Sequence, residues 1–204
     1  MTISNIIELI CIINTIFNQL IEINITLFYL INHNLQNSFF DFVMPNITNL
    51  GSFIVVLAIC LILLIYGIVT KNRKMKNIAI ICLIAITITD IAISMLKVIV
   101  AEPRPFVSLN SVHLLVSESD PFSFPSGHTG AVFALATSLG LNWIIKIRQK
   151  SFKMVWILMP IAFIIGFSRI YVGVHYPFDV LVGGVIGIFG GILAIKIGKF
   201  FDII

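Results

Sequence analysis

The chain has 204 residues, of which 59% are hydrophobic and only 11% charged, with a mean hydropathy of +1.09. Soluble domains carry roughly 25% charged residues, so this chain cannot cover itself with a polar surface and reads as a single integral membrane protein. The surplus of its formal net charge of +4 sits in short loops between apolar runs, and no basic-aromatic stripe accompanies it; nucleic acid is therefore excluded as a partner.

In the first 32 residues, Ser4, Glu8, Cys11, Thr15, Asn18, Glu22, Thr26 and Tyr29 recur at a spacing of three or four. They line one face of a helix. Two glutamates on that face count against a lipid-exposed span, so the pattern predicts an amphipathic helix at the membrane interface. The alternative is a sixth span whose polar face packs on the bundle. No basic region precedes the stretch, so no cleaved secretory signal is expected. A second short amphipathic piece, around residues 39–49, leads into the first span. Residues 1–50 thus form an N-terminal segment ahead of a membrane core at 51–204.

A spanning helix needs about 20 mostly apolar residues. Five runs qualify: 52–69, 78–100, 129–145, 154–172 and the glycine-rich 180–200. The expected fold is all-α, a polytopic membrane helix bundle of five transmembrane helices plus the N-terminal amphipathic helix. In the last run Gly183, Gly187 and Gly191 recur every four residues beside Gly184, which predicts close helix packing within the chain. Thr87, Asp90, Ser94 and Lys97 share one stripe of the second span and are expected to face the bundle. Asp90 there would hydrogen-bond a neighbouring helix or hold Lys97. Cys11, Cys60 and Cys82 are odd in number and lack metal-ligand spacing, so they read as small buried hydrophobes.

Basic residues set the orientation. Lys71, Arg73, Lys74 and Lys76 follow the first span, Lys146, Arg148, Lys150 and Lys153 follow the third, and Lys196 and Lys199 close the fifth. Alternating spans bring all three groups to one side, which the positive-inside rule makes cytoplasmic. Trp143 and Trp156 flank the second basic loop as interfacial aromatics. Lys97, His128, Arg104, Arg169, His175 and Asp179 fall on the opposite, extracytoplasmic side. The 102–124 loop, with Glu118 and Asp120, is expected to form a rim over them, with His113 facing solvent.

Titratable groups inside a membrane are expensive, so this cluster is a functional hypothesis. Ser126-Gly127-His128 follows Pro125 at a helix start, where free amides and the helix dipole suit a phosphate oxygen. Gly127 lets the backbone approach, and His128 stands where it could give a proton to a leaving oxygen. Asp179 can reach back to His175, fix its tautomer and leave the other ring nitrogen free to attack. Lys97, Arg104 and Arg169 supply the positive charge that phosphoryl transfer needs. Taken singly, each piece also reads as something plainer: an ordinary helix start, a structural His-Asp pair, or a snorkelling cation.

The pieces together resemble a known family. Lys97…Arg104-Pro105, Pro125-Ser126-Gly127-His128 and Ser168-Arg169…His175…Asp179 match, complete and in order, the three motifs of the type 2 phosphatidic acid phosphatases. These are membrane lipid phosphatases related to glucose-6-phosphatase and the vanadium haloperoxidases. The resemblance covers roughly residues 50–200. It implies that His175 is a nucleophile forming a phosphohistidine, that His128 is the general acid and that Asp179 orients His175. It further implies that Lys97, Arg104, Ser126, Gly127 and Arg169 bind phosphate, in a phosphatase core at 51–204 that uses no metal and no cofactor. The expected substrate is a lipid phosphate or diphosphate, with a polyprenyl diphosphate such as undecaprenyl diphosphate favoured because the site faces outward, where carrier lipid is released. Phosphatidylglycerophosphate, phosphatidic acid, a lipid phosphotransferase reaction, or phosphate and lipid transport without chemistry are the alternatives.

Overall fold

The computed structural model describes residues 3–147 and 149–203, so Arg148 lies outside the described residues, as do the side chains of Ile3, Ser4 and Ile147. The elements run α1 (Ile3–Asn32), α2 (Ser38–Asn49), α3 (Phe53–Val69), α4 (Arg73–Val100), α5 (Pro105–Ser108), α6 (Gly127–Asn142), β1 (Ile144–Ile147), β2 (Lys150–Lys153), α7 (Val155–Tyr171) and α8 (Pro177–Phe200). Short polar side chains start four of the helices. Asn37, Ser52, Asn72 and Ser126 cap α2, α3, α4 and α6 by accepting from the amide three residues on.

The bundle is built around α6. Every residue from Thr129 to Gly140 is buried, as expected of a helix apolar on all sides. It packs against α8, α4, α7 and α3. The glycine stripe of α8 faces it. A Cβ added at Gly183 would lie 2.5 Å from the Ser126 carbonyl oxygen, and one at Gly191 would lie 2.7 Å from Thr137 Cβ. Gly187 stacks in the same way on the Gly130 carbonyl. The close packing predicted from the glycine repeat is therefore within the chain. Gly183→Ala should cost about 1–3 kcal/mol through overpacking. Thermal unfolding in detergent should show a melting temperature several degrees below wild type; an unchanged melt would mean that the two backbones can part freely.

Three helices are long and apolar enough to cross a membrane (α1, α4 and α8), and α2 with α3 makes a fourth candidate bent by 55° at the break between them. At 17 and 16 residues, α7 and α6 are shorter. The third predicted span, 129–145, is corrected: its helix stops at Asn142 and the chain enters an antiparallel hairpin pairing Ile144 with Lys153. The β-branched run Ile144, Ile145 and Ile147 favours extended backbone over another helical turn. The all-α expectation thus acquires one short hairpin, which carries Lys146, Lys150 and Lys153.

Two further expectations change. Thr87, Asp90 and Ser94 are exposed and point away from the bundle, because α4 turns its Ile86, Thr89 and Ile93 face inward instead. Lys97 is held by the rim, not by Asp90. Of the cysteines, Cys60 and Cys82 are buried, but Cys11 is exposed on α1. The polar face of α1 (Glu8, Thr15, Asn18 and Glu22) is exposed as well, and only the last third of the helix docks, through buried Asn24, Phe28 and Asn32.

Candidate active site

Four helix ends meet at one pole of the bundle. α4 ends at Ala101, whose left-handed backbone (φ 49°) closes the helix as its amide donates to the Lys97 carbonyl. The chain then lies alongside the end of the rim loop. The Ser123 amide donates to the Glu102 carbonyl at 2.7 Å, and Pro103 bridges to Phe122. This pairing brings the two cations of the first motif onto the rim. Lys97 Nζ donates to the Phe122 carbonyl at 2.6 Å and pairs with Asp120 Oδ2 at 2.8 Å. Arg104, 1% exposed, donates through Nε to the Asp120 carbonyl at 2.6 Å and approaches Asp120 Oδ2 at 3.5 Å. Burial alone would raise the Asp120 carboxyl, but Lys97, the Phe122 amide and Arg104 outweigh it and hold the group below the usual carboxylate range.

Arg169, in the last turn of α7, is equally buried. Its Nη1 donates to Thr48 Oγ1 at 3.0 Å, and its Nη2 forms a close ion pair with Glu118. Glu118 also lies 4.0 Å from Arg104 Nη1. The predicted rim is therefore in place, and its two carboxylates sit directly on the three cations.

His175 follows Gly173, whose φ of +86° and crowding against the His113 carbonyl at 2.7 Å leave no room for a side chain. Pro177 then occupies the first position of α8. Asp179 turns back so that Oδ2 accepts from the Tyr176 amide at 2.8 Å and from His175 Nδ1 at 3.1 Å. On the other side of the ring, His175 Nε2 lies 3.2 Å from Arg104 Nη1, which also donates to the Val174 carbonyl at 3.0 Å. An arginine can only donate. Nε2 must therefore be the acceptor, and the ring proton sits on Nδ1, facing Asp179. Burial first, and then Arg169, Arg104, Lys97 and His128, push His175 well below the ordinary histidine value, so the ring is neutral at neutral pH.

Ser126 opens α6. Its hydroxyl accepts from Thr129 Oγ1 at 2.9 Å, and its amide donates to the Asp179 carbonyl at 3.0 Å. A Cβ at Gly127 would meet no atom within 4 Å, so this stretch of backbone borders open space. His128 is half-buried in the first turn of α6, within electrostatic range of Arg169, Arg104 and Lys97. All eight predicted residues (Lys97, Arg104, Ser126, Gly127, His128, Arg169, His175 and Asp179) thus gather at this pole.

Other contacts were not foreseen. Ser123 Oγ donates to Asp179 Oδ2, and Thr48 reaches Arg169 from α2. Neither stands at a motif position, and only the nearness of Ser123 to the Pro125–His128 turn hinted at it. His113, expected in solvent, is half-buried instead. Its Nε2 meets Asp41 Oδ1 at 3.1 Å and its amide donates to Asn32, while Tyr171 donates to the same Asp41 oxygen at 2.6 Å. Asn32 also donates to the Tyr171 and His113 carbonyls. Polar groups of α1 and α2 therefore moor the rim loop.

The chain is similar to known proteins in sequence and in fold. The sequence profile of the PAP2 superfamily matches residues 78–201. An undecaprenyl-diphosphatase of Sulfolobus acidocaldarius is 32% identical across 88% of this chain and 80% of its own length. The undecaprenyl-diphosphatase BcrC of Bacillus subtilis is 36% identical across 78% of this chain and 75% of its own. The crystal structure of LpxE from Aquifex aeolicus superposes with a TM-score of 0.69 at 35% identity, covering 85% of this chain and 95% of that one. A profile match over more than half of the chain encloses all eight residues of the cluster, and it places the chain in the PAP2 superfamily.

Proposed function

We propose that this membrane phosphatase hydrolyses a polyprenyl diphosphate, such as undecaprenyl diphosphate, through a phosphohistidine at His175. The substrate reading rests on relatives named undecaprenyl-diphosphatases at 32–36% identity. The observation that carries the mechanism is the His175 ring, with its Nδ1 proton on Asp179 and its Nε2 lone pair turned toward Arg104.

In this reading the terminal phosphate takes the place of the Glu118 and Asp120 carboxylates on Lys97, Arg104 and Arg169. The Ser126 hydroxyl and the amides of Gly127 and His128 at the start of α6 add to the cradle. Nε2 then bonds to phosphorus as the bridging P–O bond breaks. His128 protonates the leaving lipid monophosphate, and Asp179 faces the imidazolium that forms. Water next attacks phosphorus and releases inorganic phosphate, returning His175 to its neutral state. The three cations neutralise the equatorial oxygens. Phosphate release should therefore persist in excess EDTA, and it should be fastest with the polyprenyl diphosphate among lipids that include phosphatidylglycerophosphate and phosphatidic acid. Loss in EDTA that magnesium restores would overturn the metal-independent mechanism, and faster release from another lipid would overturn the substrate assignment.

The chemistry belongs to residues 51–204, and residues 1–50 serve it by mooring the rim through Asn32 and Asp41. The site opens on the extracytoplasmic face, because Arg73, Lys74, Lys196, Lys199 and the lysines of the hairpin lie at the opposite helix ends. In a cysteine-free background, Ser117→Cys should label with an impermeant thiol reagent in intact cells, whereas Lys74→Cys and Gln149→Cys should not. The reverse pattern would put the site in the cytoplasm.

A further inference from the structure

We propose that Ser123 is a positioning residue for the nucleophile, fixing through its hydroxyl the carboxylate that orients His175. The proposal rests on the reading of His175 as the attacking group. Ser123 is fully buried. Its Oγ donates to Asp179 Oδ2 and lies 3.4 Å from His175 Nδ1. The same carboxylate oxygen takes the Tyr176 amide and the His175 ring proton. Asp179 Oδ1, also buried, has no hydrogen-bond partner among the described residues. The whole anchoring of the carboxylate therefore falls on one oxygen with three donors.

Two of those donors, at residues 175 and 176, belong to the same turn at the start of α8 that carries Asp179. They hold the carboxylate to the start of α8, but neither ties it to the rim segment that carries the partners of Lys97 and Arg104. Ser123 comes from a separate strip of chain. Its amide hangs from Glu102, its neighbour Phe122 accepts from Lys97, and Asp120 pairs with both Lys97 and Arg104. Residues 120–123 thus touch two phosphate-facing cations on one side and the His175–Asp179 pair on the other. Arg104 registers the Nε2 side of the nucleophile to the cations directly, and Ser123 does so on the Nδ1 side, through the carboxylate. A serine suits the place: its hydroxyl has one proton to give, and its side chain is short enough for a fully enclosed site.

The test uses the full chain in detergent with polyprenyl diphosphate. It combines steady-state kinetics, rapid-quench trapping of the phosphoenzyme and 15N NMR of the His175 ring. S123A should lower kcat roughly 10–100-fold, the factor that one hydrogen bond to an ionised group is worth. KM should stay within about twofold, since no phosphate contact is lost. The ring, held as the Nδ1–H tautomer in wild type, should become a mixture of tautomers. In the Asp179→Asn background S123A should cost nothing further, because Ser123 acts through that carboxylate. S123C keeps the size with a weaker donor and should fall between wild type and S123A, so the idea stays testable if S123A folds poorly. Wild-type kcat in S123A, an unchanged tautomer, or an equal loss on top of Asp179→Asn would overturn the proposal while leaving His175 as nucleophile. Absence of any phosphoenzyme in wild type would instead overturn the reading beneath it.

Discussion

His175→Ala should leave no turnover and no trapped phosphoenzyme. Nε2 of His175 is an unprotonated ring nitrogen whose partner is the Arg104 guanidinium, and the opposite nitrogen is held by Asp179. Its adduct with phosphate should be labile to acid and stable to base. His128→Ala removes only the proton donor. General acid catalysis is worth roughly 10²–10⁴-fold, and the loss should shrink with a leaving group that needs no proton, such as p-nitrophenolate. Asp179→Asn should keep the fold and lower the rate by favouring the wrong tautomer. Rapid quench with radiolabelled lipid diphosphate reads all three variants. Full turnover by His175→Ala would end the nucleophile assignment, and binding without hydrolysis by wild type would favour a transport or lipid-binding role.

Arg104→Lys should be nearly as damaging as Arg104→Ala, although the charge is kept. Arg104 joins the Asp120 carbonyl, the Val174 carbonyl and His175 Nε2 with one rigid group. A lysine ammonium cannot reproduce that planar set of donors. Loss of one donor aimed at developing charge costs about 10²–10³ in kcat, and Arg104→Lys should fall in that range in single-turnover phosphoenzyme formation. A rate within about threefold of wild type would show that charge alone is needed there.

The candidate cluster was legible because phosphoryl transfer would demand particular residue types at helix ends, and helix ends are marked by Pro, Ser and Gly. Pro125-Ser126-Gly127 and Pro177 announce the starts of α6 and α8, and the glycine repeat announces their contact. What stayed hidden depends on tertiary contacts between distant segments. Beyond its nearness to the Pro125–His128 turn, nothing local distinguishes Ser123 from other loop serines, and nothing local aims Thr48 at Arg169 across 121 residues. His113 departs from the solvent-facing expectation because its partner, Asp41, lies on another element. The Asp90 stripe departs from expectation because its polarity does not decide which face turns inward; packing on α6 selects the neighbouring face of α4. The hairpin was overlooked because an apolar run of isoleucines reads alike as helix or strand.

The contact between α6 and α8 has a consequence for what can vary in this protein. Gly183 rests on the Ser126 carbonyl, and the Ser126 amide is bonded to the Asp179 carbonyl. The interval between the two histidine-bearing helix starts is thus measured by main chain meeting main chain, with no side-chain volume in between. Leu181, Val185 and Phe189 lie on the exposed side of the same helix and take no part in that measurement. The outer coat of the bundle can be re-tailored to another lipid tail or a thicker bilayer while the reacting groups keep their spacing.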